Sequence, residues 1–396
     1  MNIYPMVSGY RSVPLLVSSR AIENLGLLLA SFVLLLLGAE VFTNGVEWLG
    51  HRLGISESAT GSILAAVGTA LPETMIPVIA IIHGVVTGES SSANHVGVGA
   101  ILGAPFMLAT IALFLVGASV RYFSGRRLHG SEFHCNATAT RRDLSFFLAG
   151  YSLALLAALI PARLSVGPIP TSYIIAVVLL GLYFVYVRRS LARGDLIADE
   201  GLESLYLGAI LEKYQERLPG VSSSTNHRDD PHRWLVYLQT VLALLLIIAG
   251  AQLFVAEIQY FAVSVLHVPT AILALLLAPL ATELPEKLNS IIWISRDKDT
   301  LAIGNITGAM AFQSTIPVSL GILFTSWDLT LTWGTAGFLN AFSTMLALVS
   351  GGILYTRVRS LEDGYLRPKP FFIGGLLYLV FVVIVFYHIF YLNISI

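Results

Sequence analysis

The phrase GTALPE, Gly68 to Glu73, has a near-copy in ATELPE, Ala281 to Glu286, and both lie inside otherwise apolar stretches. A glutamate in a hydrocarbon-length segment costs several kcal/mol unless it faces a cavity or a partner. Two such glutamates at matching places point to an ion site built by duplication. Charged residues make up 12% of the 396 and apolar residues 56%, which is too little polar surface for a water-soluble protein of this length. The chain therefore reads as an all-α polytopic membrane protein. A net charge of −1, sorted into loops, argues against a nucleic-acid partner. The lone Cys135 excludes an internal disulfide framework and any thiolate metal cluster, and reads as a free structural or loop thiol. The first twenty residues lack the layout of a cleavable signal peptide, so the N-terminus is expected to be retained.

Crossing roughly 30 Å of hydrocarbon at about 1.5 Å per residue takes about twenty apolar residues. Such stretches fall near 24–50, 58–83, 96–120, 144–161, 171–188, 233–264, 268–294, 300–325, 329–355 and 371–393, which makes ten spans. With the N-terminus outside, the inner loops hold 19 of the 23 lysines and arginines. That bias fits ten spans with both termini outside, by the rule that basic loops stay in the cytoplasm. The connection from Ser190 to His232 contains LPGVSSSTNHRDDP and reads as a solvated cytoplasmic linker. It divides the chain into residues 1–190, a linker at 191–232, and residues 233–396. Five spans is an odd number, so the second group enters the membrane in the opposite sense and the duplication would be an inverted repeat.

Aligned with one residue of length difference, Gly38-Ala39-Glu40 sits over Gly250-Ala251-Gln252, and Leu71-Pro72-Glu73 over Leu284-Pro285-Glu286. Further on, GVGAILGAPF (97–106), in the glycine helix at 96–120, sits over AIGNITGAMAF (302–312), in the glycine helix at 300–325. Glycines Gly99, Gly103, Gly304 and Gly308 would permit close helix contact. Pro72 and Pro285 each remove a backbone hydrogen bond and should break their spans near mid-membrane, freeing carbonyls beside the following glutamate. Irregular backbone at that depth is tolerated where it lines a protein-walled cavity. Thr69 and Thr282, four residues before each glutamate, fall on nearly the same helical face. Carboxylates, hydroxyls and carbonyls make a hard-oxygen site of the kind Ca²⁺ takes, and Glu73 with Glu286 would balance one divalent ion. Glu40, Glu47 and Glu257, near the ends of the first and sixth spans, read as interfacial or packing residues. His83 and His95 read as loop or interfacial residues.

Together these stretches resemble the calcium/cation antiporter superfamily, to which the sodium/calcium exchangers belong. Its two repeats carry a GTSLPE phrase followed one helix later by GNxxGSN, and its members have ten spans in two inverted halves. The resemblance implies alternating access, with cations bound between the four helices that carry the phrases. By position it assigns Thr69, Glu73, Thr282 and Glu286 to the site, and Asn305 keeps the family's asparagine. Departures are Ala70 and Glu283 for the serine of the phrase, Pro279 for an alanine, and Ala104, Leu108 and Ala309 for polar residues, with Gln313 surviving. Glu283 adds an acid and Lys287 a base one helical turn away, in the favourable order for a helix pair. Lys287 either enters the site as a tethered cation or snorkels toward the interface.

The expected function is a secondary antiporter exchanging Ca²⁺ for Na⁺ or H⁺ in the cytoplasmic membrane. No cofactor is expected; the lipid bilayer and small inorganic cations are the partners. The extra acid Glu283 raises the case for proton coupling. The alternative is a diverged cation-binding sensor or structural membrane protein without exchange. The spans hold no aspartate pair or histidine-zinc motif, so an intramembrane enzyme has no constellation to work with.

Overall fold

A computed structural model describes residues 19–70, 90–160, 164–166, 168–192, 202–215, 231–260, 276, 280, 283–325, 327, 329, 331–361 and 364–391. Among them the protein is helical apart from two small antiparallel ladders. One pairs β1 (Phe133–His134) with β4 (Tyr365–Leu366); the other pairs β2 (Ser165–Val166) with β3 (Ile169–Pro170). Eight helical stretches are long and apolar enough to cross a membrane among the described residues. The expected spans at 58–83 and 268–294, which carry the two acidic phrases, lie partly outside the described residues.

Helix α1 (Ser19–Leu53) carries His51 and Arg52 in its last turn, where cations favour the helix dipole. It closes at Gly54, whose φ of 65° is the left-handed conformation that ends helices and that glycine adopts without a Cβ penalty. Helix α2 (57–70) starts at Ser56, whose side chain accepts a hydrogen bond from the Ala59 amide, and widens into a π-turn at Thr60–Ala65. Helix α3 (90–123) is widened in the same way at Leu108–Ala112, just past Pro105, a residue that breaks the regular ladder. Then come α4 (Ala137–Leu159), capped by Asn136, and α5 (Thr171–Leu191).

The second half holds α7 (Arg233–Tyr260), α8 (Leu284–Ser295), α9 (Asp299–Gln313), α10 (Ile316–Phe324), α11 (Ala336–Arg359) and α12 (Lys369–Tyr391). Helix α1 packs along α7, and α9 is buried on every side from Leu301 to Gln313, touching α2, α4 and α8. Exposed apolar residues such as Val177 and Phe184 on α5, Val241 and Leu245 on α7, and Leu376 and Val383 on α12 face outward, as a lipid-facing wall requires.

Three readings gain detail. The fourth span starts at Ala137, not near 144, because the helix continues through Arg141 and Arg142 into the polar boundary. The eighth span holds as one stretch, Asp299–Phe324, and is broken inside at Ser314-Thr315, with Pro317 in the first turn of α10. The connection read as a solvated linker contains α6 (Tyr206–Gln215), whose Leu207 and Leu211 pack with Leu202 and Leu205 on Trp48, Leu235 and Val236.

Candidate ion-binding site

Helix α8 begins inside the second acidic phrase. Glu283 is a turn residue, and Pro285 occupies the first helical turn, where its missing N–H costs nothing. The expected break at Pro285 is therefore a helix start, with Glu286 in the first turn close to the positive end of the dipole. From there a polar stripe runs at helical spacing through Glu283, Glu286, Asn289, Ser290 and Trp293, and all five are buried.

The stripe faces α9. Gln313 Nε2 donates to Glu283 Oε1 at 3.1 Å. Asn305 Nδ2 donates to the Glu286 carbonyl at 3.0 Å and to Ser290 Oγ at 3.2 Å, while Ser290 Oγ donates to the Ala302 carbonyl at 3.0 Å. Among the described residues, Glu283 Oε2, Asn289 Oδ1, Asn305 Oδ1 and Gln313 Oε1 are buried oxygens that receive no hydrogen bond. Buried oxygens of carboxylate and amide type, short of donors, are the kind of ligand a hard cation takes.

Of the residues expected at the site, Glu283, Glu286, Asn305 and Gln313 come together on α8 and α9. Lys287 is 2% exposed and donates from Nζ to the Leu280 carbonyl at 3.1 Å, so it does not snorkel outward. Thr69 is buried on α2 with its hydroxyl on the Ala65 carbonyl at 3.0 Å. Glu73, Thr282, Pro72 and Pro279 lie outside the described residues, as does His83. Asn289 was not anticipated, although its spacing three residues after Glu286 marks it as a member of the same face.

The acids near the helix ends serve packing. Glu47 takes hydrogen bonds from Lys298 and, at 2.8 Å, from Trp293 Nε1; Glu40 pairs with Arg296 and accepts from Tyr206 OH at 2.7 Å; Glu257 accepts from Asn24 at 2.8 Å. Where α8 turns into α9, Arg127 reaches over from the α3–α4 connection. Its guanidinium meets Asp299 through two hydrogen bonds, at 2.7 and 2.5 Å, and also donates to the carbonyls of Ile294, Glu132 and Gly130. The donor fork of the arginine is fully used.

On the opposite face of α9, the buried Asp143 of α4 fastens both halves of the chain. Its Oδ2 accepts from Ser62 Oγ of α2 at 2.6 Å and from Thr307 Oγ1 of α9 at 2.9 Å, while Oδ1 accepts from Arg142. Glycines carry this crossing, since a Cβ at Gly308 would lie 2.2 Å from the Ser62 carbonyl oxygen and one at Gly61 2.8 Å from that of Leu301.

The sequence pattern of the family described as "Sodium/calcium exchanger protein" matches residues 23–192 and 235–390. The antiporter candidate CaxA of Alkalimonas amylolytica is 24% identical over 304 residues, covering 74% of this chain and 79% of that protein. The sodium/calcium exchanger MaX1 of Methanosarcina acetivorans is 33% identical over 89 residues, 22% of this chain and 25% of its own. The solved structure of the sodium-calcium exchanger NCX_Mj soaked with 10 mM Na⁺ superposes with a TM-score of 0.64 at 18% identity, covering 91% of this chain and 98% of that one. At that identity the likeness is one of fold.

Proposed function

This chain belongs to the sodium/calcium exchanger protein family, and from that premise we propose that it exchanges Ca²⁺ for Na⁺ or H⁺ by alternating access. The exchange site lies at mid-membrane between Glu73 and Glu286, with Thr69, Thr282, Glu283, Asn305 and Gln313 contributing. The observation that carries this reading is the buried start of α8, where Gln313 Nε2 donates to the Glu283 carboxylate and Asn305 Nδ2 to the Glu286 carbonyl, leaving the oxygens of both amides without a donor. Two five-helix repeats, 1–190 and 233–396, would each supply one acidic phrase from opposite directions, in a cytoplasmic membrane with both termini outside.

Charge balance frames the coupling. With the ammonium of Lys287 offsetting Glu283, the remaining carboxylates Glu73 and Glu286 carry the two charges that one Ca²⁺ or two protons neutralise. Ala70 and Ala309 have no side-chain oxygen for additional Na⁺ sites, which favours protons as the counter-ion. Vesicles containing the reconstituted chain are expected to move Ca²⁺ when a pH or Na⁺ gradient is imposed, and Glu286→Gln is expected to abolish the flux. Failure of both gradients to move any divalent ion sinks the exchange reading. Stoichiometric binding without flux would make the chain a cation-binding protein instead.

A further inference from the structure

At the end of the bundle where basic side chains gather, a cavity of about 770 Å³ opens between the last turn of α3 and the first turn of α12. Arg121, Arg367 and Lys369 line it together with Ser124, Ser131 and Phe372, and Glu132 is the one carboxylate on its wall. Arg127, Arg142, Arg296 and Lys298, at the same end, each have a carboxylate partner. Arg121, Arg367 and Lys369 have none among the described residues, so three cations face one anion across a shared space. The walls are fixed in place. The β1–β4 ladder ties 133–134 to 365–366, and Gly117 of α3 packs so close to α12 that a Cβ there would lie 2.6 Å from Phe371 Cβ.

The cavity also continues into lipid-facing surface. Phe372, Leu376, Leu379 and Val383 recur at helical spacing along α12, and their exposures are 38%, 61%, 60% and 67%. Tyr122, 82% exposed beside Arg121, is the type of residue that sits at headgroup level. A ligand that suits both parts has a phosphate at one end and hydrocarbon at the other.

We propose that this cavity holds the phosphate headgroup of an anionic phospholipid, with its acyl chains lying along the outer face of α12. Guanidinium groups grip phosphate oxygens through paired hydrogen bonds, Lys369 adds a point charge, and the hydroxyl of Ser131 suits a glycerol headgroup. A cavity of this size is in the range that holds a small organic group. Basic pockets between membrane helices are suited to such headgroups.

The test is native mass spectrometry of the full chain in detergent, with phosphatidylglycerol or phosphatidylcholine of identical acyl chains added in turn. The unaltered chain is expected to retain phosphatidylglycerol preferentially. Each neutralised charge should weaken that retention about fivefold, so that R121Q/R367Q/K369Q loses the preference. Arg359→Gln, an exposed charge at the end of α11, should leave it intact. If the triple variant does not fold, Ser124→Glu should lose the preference and Arg121→Lys should keep it. Equal retention of the two lipids by the unaltered chain, or an unchanged preference in the variants, overturns the proposal. Binding of inorganic phosphate with no lipid preference overturns it as well, by making the cavity a free-phosphate site. None of these readouts depends on ion transport.

Discussion

Gly308→Ala is the sharpest probe of how the two halves meet. An added Cβ would lie 2.2 Å from the Ser62 carbonyl oxygen, 2.5 Å from Ser62 Cα and 2.7 Å from Ser62 C. All three are backbone atoms of the π-turn in α2, so no rotamer change relieves the clash. Non-bonded carbons rest about 3.5 Å apart, so α2 and α9 would have to separate by roughly 1 Å. Overpacking alone costs about 1–3 kcal/mol. Separation also stretches the charge-assisted hydrogen bond from Ser62 to Asp143, worth about 1.5–3 kcal/mol. The sum, about 2.5–6 kcal/mol, is large against a typical folding stability. Gly304→Ala meets the same helix, at Ser62 and Ser58, at 3.1 to 3.3 Å, which neighbours absorb by moving a few tenths of an ångström, and Gly181→Ala meets nothing within 4 Å.

Thermal unfolding of the purified variants, followed by size-exclusion fluorescence, should rank Gly308→Ala well below Gly304→Ala, with Gly181→Ala at or above the unaltered chain. Any Gly308→Ala protein that survives should also lose the proposed cation flux by about 100-fold, the usual effect of a 1 Å misplacement on a positioned reaction. Equal melting temperatures and fluxes for the 304 and 308 variants would refute the close crossing and the reasoning built on it.

Arg127→Lys should destabilise nearly as much as Arg127→Ala, by about 3–5 kcal/mol, because an ammonium cannot reproduce the forked contact with Asp299; a mild lysine effect in the same melting assay would contradict this. Asp143→Ala should cost about 3 kcal/mol by leaving Ser62 and Arg142 without their acceptor, and Asp143→Asn should recover part of it; indifference to both would deny the fastener its role. Burial pushes the Cys135 thiol up to about 11, so its thiolate is scarce at pH 8. Labelling by a water-soluble maleimide should therefore be slow there and keep rising through pH 10, whereas an exposed thiol reaches half its final rate near about pH 8.5; a plateau before about pH 10 would show the thiol to be exposed.

Eight of the expected spans and the family were legible because membrane crossing and intramembrane charge leave strong one-dimensional signals. Helix starts were less so: α4 runs seven residues beyond its apolar window, since a helix can continue into the polar boundary without any change in its hydrogen bonding. The break before α10 carried a readable sign in Thr315-Ile316-Pro317, a capping-type residue followed by proline at the helix start. Helix α6 was hidden in a connection whose charges outweigh its leucines. Asp143 could not have been assigned a role from sequence. Its partners are 81 and 164 residues away, and only the packing of α2, α4 and α9 brings them together.

The Ser314-Thr315 break also explains how Glu283 can sit where it does. Gln313, the last residue of α9, reaches Glu283, so this carboxylate lies beside a helix C-terminus, where unsatisfied carbonyls would repel it. Three of those carbonyls are already taken. The Ser314 amide bonds to Met310, its hydroxyl to Ala311, and the Thr315 hydroxyl to Ala311 and Phe312. The Thr315 carbonyl in turn accepts from the amide and hydroxyl of Ser319. With those carbonyls occupied, Glu283 receives the amide of Gln313 and feels the opposed charges of Glu286 and Lys287. Ser314 and Thr315 make no hydrogen bond to an acid among the described residues, yet removing their hydroxyls strips the Ala311 carbonyl of both partners, so a loss of ion binding in Ser314→Ala/Thr315→Val with the fold intact is the outcome this account requires.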